Sequence, residues 1–187
     1  MTRIIAGRFR ARRLTVPDGK DIRPTTDRMR ERLFSILGHN KYPALTGARV
    51  ADLFAGTGAL GLEALSRGAA HATFVEQSPG SLNCLRSNIK ALQVESETTV
   101  VAANATKVAR TEQPFDFIFL DPPYRQNLLS PSLSSMLEMG WVNDETAIVC
   151  ELASDETTEI PPGLQIVDDR KQGKQRLLIL KHASADQ

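Results

Sequence analysis

The sequence predicts an α/β protein: a mostly parallel seven-stranded sheet with an antiparallel last hairpin, covered by helices on both faces. Three observations predict it. From Arg49 onward, short runs rich in Val, Ile and Phe alternate with stretches whose apolar residues recur at helical spacing. A glycine-rich loop joins the first such run to the first such stretch, as in sheets that bind ligands at the carboxyl ends of their strands. The last two runs, LQIVDD and QRLLILK, lie too close together for a crossover and therefore form an antiparallel hairpin.

Taken in order, residues 2–6 and 12–16 predict two short strands joined across the arginine-rich stretch 7–11, a basic hairpin. Pro24, Thr25 and Thr26 introduce a helix over 27–37, with Met29, Leu33 and Leu37 on one stripe and Gly38 where a C-terminal cap belongs. The alternation then runs strand VADLFA, helix 59–67 ended by Gly68, strand ATFVE, and a helix with Ser78 and Pro79 in its cap and first turn. It continues with strand TTVVAA, a short helix over 105–110, strand FDFIFLD, a helix over 128–139 and strand TAIVCEL. The expected organisation is a basic N-terminal hairpin and helix over 1–48, the α/β body over 49–182 and a tail over 183–187.

Composition narrows the function classes. With 41% hydrophobic and 24% charged residues the chain is neither disordered, nor collagen, nor a coiled coil. No apolar run approaches the roughly 18–20 residues of a membrane helix, and the first residues lack a signal-peptide core, so the expected address is the cytoplasm with no membrane partner. Cys84 and Cys150 show no CxxC spacing and are expected as buried thiols; His39, His71 and His182 are too scattered for a zinc cluster, so no metal is expected. The net charge of +1 conceals an asymmetry: residues 1–49 carry 12 Lys and Arg against four acids, and the remainder is net negative. Such a basic segment is either a solvated face or a surface for a polyanion, and Arg8, Arg10, Arg12 and Arg13 crowd one short connection suited to a nucleic-acid backbone.

Three loops at the strand ends carry the chemistry. The stretch Asp52-Leu53-Phe54-Ala55-Gly56-Thr57-Gly58-Ala59-Leu60-Gly61 contains a formal G-x-G-x-x-G, which invites a dinucleotide reading. Asp52 argues against a pyrophosphate, because two like charges in one desolvated site repel by several kcal/mol. A ligand with a cationic end fits better; S-adenosylmethionine (SAM) has an ammonium and no phosphate. Glu76, ending the second strand of the alternation, can accept hydrogen bonds from both hydroxyls of a ribose. Asn104 ends the third and either meets an adenine, with the Ala105 N–H beside it, or caps the following turn.

The most specific signal is Asp121-Pro122-Pro123-Tyr124. Two prolines fix two φ angles and remove two donors, leaving the Asp121 carboxylate and the Pro122 carbonyl as fixed acceptors for an –NH2 group. A base amine is a poor nucleophile; holding both its hydrogens aims the nitrogen lone pair at a methyl donor, and Tyr124 can stack on the base.

On the residues RIIAGRFRARRL, RPTTDRMRERLFSIL, DLFAGTGALGLEALSRGA and FLDPPY, the chain resembles the RsmD family within the Rossmann-like class I SAM-dependent methyltransferases. That resemblance implies methylation of guanine N2 in 16S small-subunit ribosomal RNA, and it spans nearly the whole chain. It implies cofactor contacts at Asp52, Phe54, Ala55, Gly56, Gly58, Glu76, Gln77, Asn104 and Ala105, with Thr25 and Arg28 closing over the methionine carboxylate. Asp121 to Tyr124 would face the target base, and the partner would be 16S ribosomal RNA in a partly assembled subunit, met by a monomer. The competing readings are a DNA adenine-N6 or cytosine-N4 methyltransferase, which usually needs a larger target-recognition region, and a non-catalytic ribosome-assembly factor.

Overall fold

The computed structural model describes residues 2–17 and 27–183. Two short antiparallel strands, β1 (Thr2–Arg3) and β2 (Arg13–Leu14), pair Thr2 with Leu14 and Arg3 with Arg13. There follow α1 (Asp27–Leu37), β3 (Arg49–Leu53), α2 (Ala59–Ser66), β4 (His71–Glu76), α3 (Pro79–Leu92) and a one-turn 3₁₀ segment (Glu95–Glu97). β5 (Thr98–Ala102), β6 (Phe117–Leu120), α4 (Leu129–Glu138), β7 (Ala147–Ala153), β8 (Leu164–Gln172) and β9 (Gln175–His182) complete the chain. The large sheet has the order β5-β4-β3-β6-β7-β9-β8; its first five strands are parallel, and β9 runs antiparallel to both neighbours. The architecture is the predicted one.

Strand alternation divides the core in two. Val50, Phe117, Phe119, Val149, Leu177 and Ile179 point to one face, where residues of α1, α2, α3 and the N-terminal segment cover them. Ala51, Leu53, Ile118, Leu120, Ile148 and Leu178 point to the other, under α4 and Trp141. Burial on both faces explains why these strands read as continuous apolar runs. Each buried Phe or Leu contributes about 1.5–3 kcal/mol against exposure, so the sheet centre anchors the domain.

The N-terminal segment is built into this core. Ile4 is fully buried, and it and Leu14 join the same cluster as Phe34 and Phe119. Glu63 of α2, also fully buried, accepts the N–H groups of Ile5 at 2.8 Å and Ala6 at 3.0 Å and pairs with Arg67 Nε at 2.7 Å. One turn on, the Ser66 carbonyl accepts Arg8 N–H and its Oγ accepts Phe9 N–H. Asn88 of α3, nearly inaccessible, accepts Thr15 N–H and donates to the carbonyls of Thr15 and Thr57, tying this segment to the glycine loop.

Two local expectations change. The strands expected over 2–6 and 12–16 shorten to two-residue pairs, because the backbone N–H groups of 5, 6, 8 and 9 are taken by α2. No helix forms over 105–110: the Asn104 side-chain oxygen accepts Thr106 N–H, and Val108 N–H goes to Ser135 Oγ, so no helical ladder starts. Cys150 is buried and Cys84 half-buried, both free thiols; burial pushes the Cys150 thiol above its ordinary value.

Gly7 makes the clamp on α2 possible. It has φ +82°, and a Cβ there would lie 1.8 Å from the Ser66 carbonyl oxygen. Gly7→Ala should therefore destabilise the protein by roughly 2–4 kcal/mol, more than the strain of a left-handed residue alone. Urea unfolding measures it; a loss under about 1 kcal/mol would show that the clamp relaxes without cost.

Candidate functional site

The carboxyl ends of β3, β4, β6 and β7 surround a cavity of about 640 Å3. Asp52, the penultimate residue of β3, is buried beneath it and accepts Gly61 N–H of α2 at 2.9 Å. Glu76 ends β4 and ties two loops together: Oε2 accepts Gly56 N–H at 2.8 Å, and Oε1 accepts the N–H groups of Gln77 and Ser78, each at 2.8 Å. Phe54, between them, is held at φ +60°, a left-handed conformation costly for a bulky residue, while Ala55 N–H bonds the Val75 carbonyl. Beside Gly56 the space is open, since a Cβ there would meet nothing nearer than the Phe54 oxygen at 4.0 Å. Gly58 serves packing instead: a Cβ would lie 2.5 Å from Leu85 Cδ1.

On the other side of the cavity, β6 runs into Asp121, Pro122, Pro123 and Tyr124. The Tyr124 hydroxyl donates to Glu151 Oε1 at 3.2 Å, and Gln175 Nε2 donates to the same oxygen at 2.7 Å. The cavity thus has two acidic ends joined by an apolar middle of Phe54, Val75, Ala103 and Ala105. One end suits a polar ligand with a cation and a diol, the other a planar group bearing an amine.

Of the residues singled out in the sequence, Asp52, Phe54, Ala55, Gly56, Glu76, Gln77, Ala105 and Asp121 to Tyr124 line this one cavity. Asn104 does not: its oxygen accepts both Thr106 N–H and Thr106 Oγ1–H, the capping alternative, and Ala103 and Ala105 line the wall around it. Arg28 lines a different groove, of about 560 Å3, with Arg32 and Arg170, so it does not face the ligand cavity. Thr25 lies outside the described residues. All four hairpin arginines are exposed; Arg8 also pairs with Glu97, and Arg12 donates to the Ala91 carbonyl at 2.8 Å. Among the lining residues that the sequence does not single out are Val16 and Pro17 at the cavity rim and Glu151 beneath Tyr124. Glu151 left one signal, an acid inside a run of otherwise buried apolar strand residues.

Among the described residues, no group of His, Cys, Asp and Glu is placed to hold a metal ion, and no helix is long and apolar enough to cross a membrane.

Burial pushes the Asp52 carboxyl up to about 8; the Gly61 bond opposes this and the Glu76 charge adds to it. Since an unfolded aspartate titrates near 3.9, the native state holds the extra proton from about pH 4 to about pH 8. The stability this lends is complete below that window and lost as pH rises through it. Asp52→Asn keeps an acceptor for Gly61, so its melting temperature should gain on the parent's progressively from about pH 5 to about pH 8, by calorimetry of ligand-free protein. A constant offset would mean that Asp52 is already ionised at the lower pH.

The family model described as Conserved hypothetical protein 95 matches residues 2–181. Ribosomal RNA small subunit methyltransferase D of Escherichia coli (strain K12) is 39% identical over 165 residues, covering 88% of this chain and 78% of that protein. The protein of the same name from Haemophilus influenzae is 34% identical over 175 residues, covering 91% and 89%. A solved structure of yhhF from Escherichia coli superposes with a TM-score of 0.82 at 36% identity, over 96% of this chain and 97% of that one. The two-sided α/β fold, the loops gathered on one sheet edge and these similarities agree, and the chain belongs to the Conserved hypothetical protein 95 family, that of RsmD-type methyltransferases.

Proposed function

We propose that this protein transfers a methyl group from SAM to the exocyclic N2 amine of a guanine in 16S ribosomal RNA. The observation that carries the proposal is the single cavity that joins the Asp52 and Glu76 loops to Asp121-Pro122-Pro123-Tyr124. Membership of the RsmD-type family supports the choice of ribosomal RNA. We further propose a partly assembled subunit as the form of substrate and a monomer as the acting form.

The residues fit SAM. The buried Asp52 carboxyl answers the ammonium, and Glu76 answers the ribose diol from a carboxylate already oriented by three backbone donors. The apolar wall of Phe54, Val75 and Ala105 suits the adenine, and the open flank of Gly56 leaves room for the methionine chain. When bound, SAM supplies a methyl group on a cationic sulfur. Asp121 and the Pro122 carbonyl hold the two amine hydrogens, so that the nitrogen lone pair points along the line of transfer. As the amine nitrogen takes the methyl carbon, the carbon–sulfur pair stays on sulfur. The proton surrendered by the nitrogen leaves beside Asp121 to water. Tyr124, stacked on the base, keeps the ring in plane for about 1–3 kcal/mol.

Exposed Arg10 and Arg13 are assigned to the RNA backbone. Arg8 and Arg12, already engaged with the body, serve the fold.

Nucleoside mass spectrometry of ribosomal RNA incubated with the protein and SAM should show N2-methylguanine; N6-methyladenine in its place would favour the DNA-type amine chemistry. Asp121→Ala should lower turnover by roughly 10²–10³-fold while calorimetric affinity for SAM stays within a few-fold. Equal losses in both would assign Asp121 to the cofactor. Arg10→Gln with Arg13→Gln should flatten the slope of log RNA affinity against log salt by about 1.5, whereas Arg8→Gln with Arg12→Gln should lower the melting temperature more than the slope. The reverse pattern would exchange the two assignments.

A further inference from the structure

Glu151 is an acid that the proposed reaction leaves unused. It is only 5% exposed, yet it lines the same cavity as Asp121 and Tyr124. β6 and β7 are parallel neighbours in which Leu120 is paired with Cys150, so Asp121 and Glu151 each stand one residue beyond that pair. Both thus come to one cavity from the ends of neighbouring strands. Burying a carboxylate is costly unless donors meet it. Tyr124 Oη–H and Gln175 Nε2–H both donate to Glu151 Oε1 and orient the carboxylate.

An acceptor beside an amine cradle distinguishes the bases. The N2 amine of guanine is flanked by a ring N1–H, so its edge offers two donors side by side. The N6 amine of adenine and the N4 amine of cytosine are flanked instead by a ring nitrogen that accepts. A second carboxylate beside Asp121 therefore matches guanine and opposes the other two, which the Asp-Pro-Pro-Tyr loop alone would accommodate equally well.

We infer that Glu151 is a specificity-determining residue that accepts the N1–H of the guanine whose N2 amine Asp121 holds. The inference deepens the proposed function and rests on it. Tyr124 and Gln175 position the carboxylate, so Tyr124 has a second duty beside stacking.

The test uses 2-aminopurine, which keeps the 2-amine but carries an accepting N1 in place of N1–H. Once the methylated position has been mapped with the parent protein, RNAs with guanine or 2-aminopurine at that position are compared by kcat/KM. The parent should prefer guanine by about 10²-fold or more, since a site built around a donor rejects the analogue lacking it. Glu151→Gln, whose amide can turn to donate, should bring the two substrates within about ten-fold of each other at unchanged SAM affinity. Tyr124→Phe, which takes away one of the two donors that orient the carboxylate, should lower the preference less than Glu151→Gln does. Equal use of both RNAs by the parent would overturn the inference without any variant. Retained preference in a folded Glu151→Gln, or a larger loss of preference in Tyr124→Phe than in Glu151→Gln, would also overturn it by leaving Glu151 only as a support for Tyr124. Should the parent make no N2-methylguanine at all, the proposed function fails first and is recognised as such.

Discussion

The bond from Gly61 N–H to the Asp52 carboxyl is the constraint on which the rest of the site depends. It joins the end of the central strand β3 to the first turn of α2 and so sets the path of everything between them. The stretch from Leu53 to Gly58 must turn sharply within that span, and the left-handed Phe54 and the positive φ of Gly56 and Gly58 are how it does so. Because Asp52 is buried, the fold tolerates its carboxyl most easily when protonated, and a cationic ligand reverses that preference.

Around that point the cavity is held by bonds between loops that are distant in sequence. Glu76 bridges the loops after β3 and β4, and Asn88 extends the tie to the N-terminal segment through Thr15 and Thr57. On the opposite side, Glu151 connects β7, the loop after β6 and the hairpin strand β9. These polar links are buried or half-buried, so each contributes more as geometry than as net energy, whose size per bond is about 1 kcal/mol. The large favourable term lies in the two apolar faces of the sheet, which leave the strand ends free for chemistry.

The sheet was legible because its signal is local: the inner parallel strands β3 and β6 and their neighbour β7 are buried on both faces, and α1 and α3 each carry one apolar stripe. The Asp-Pro-Pro-Tyr element was legible because its backbone chemistry is written in consecutive residues. What escaped the sequence depends on pairing between distant segments. Nothing in Arg8 or Arg12 tells that Glu97 and the Ala91 carbonyl wait for them. Glu151 gains its place only from the pairing of β7 with β6, which brings it to the cavity that Asp121 lines. Asn104 suits a ligand and a turn alike by residue type, and only the geometry of Thr106 distinguishes them.

The clamp of the N-terminal segment on α2 has a consequence for the order in which the chain can fold. Its bonds span 57 or 58 residues, from Ile5, Ala6 and Phe9 to Glu63 and Ser66, and the tie of Thr15 to Asn88 spans 73. Closing loops of that length before their ends are structured loses chain entropy with little in return. This segment, synthesised before α2 and α3, must therefore wait until those helices exist as surfaces. The basic N-terminus is then the closing seal of the domain, and its docking brings the rim residues Val16 and Pro17 to the cavity only after the sheet edge is built.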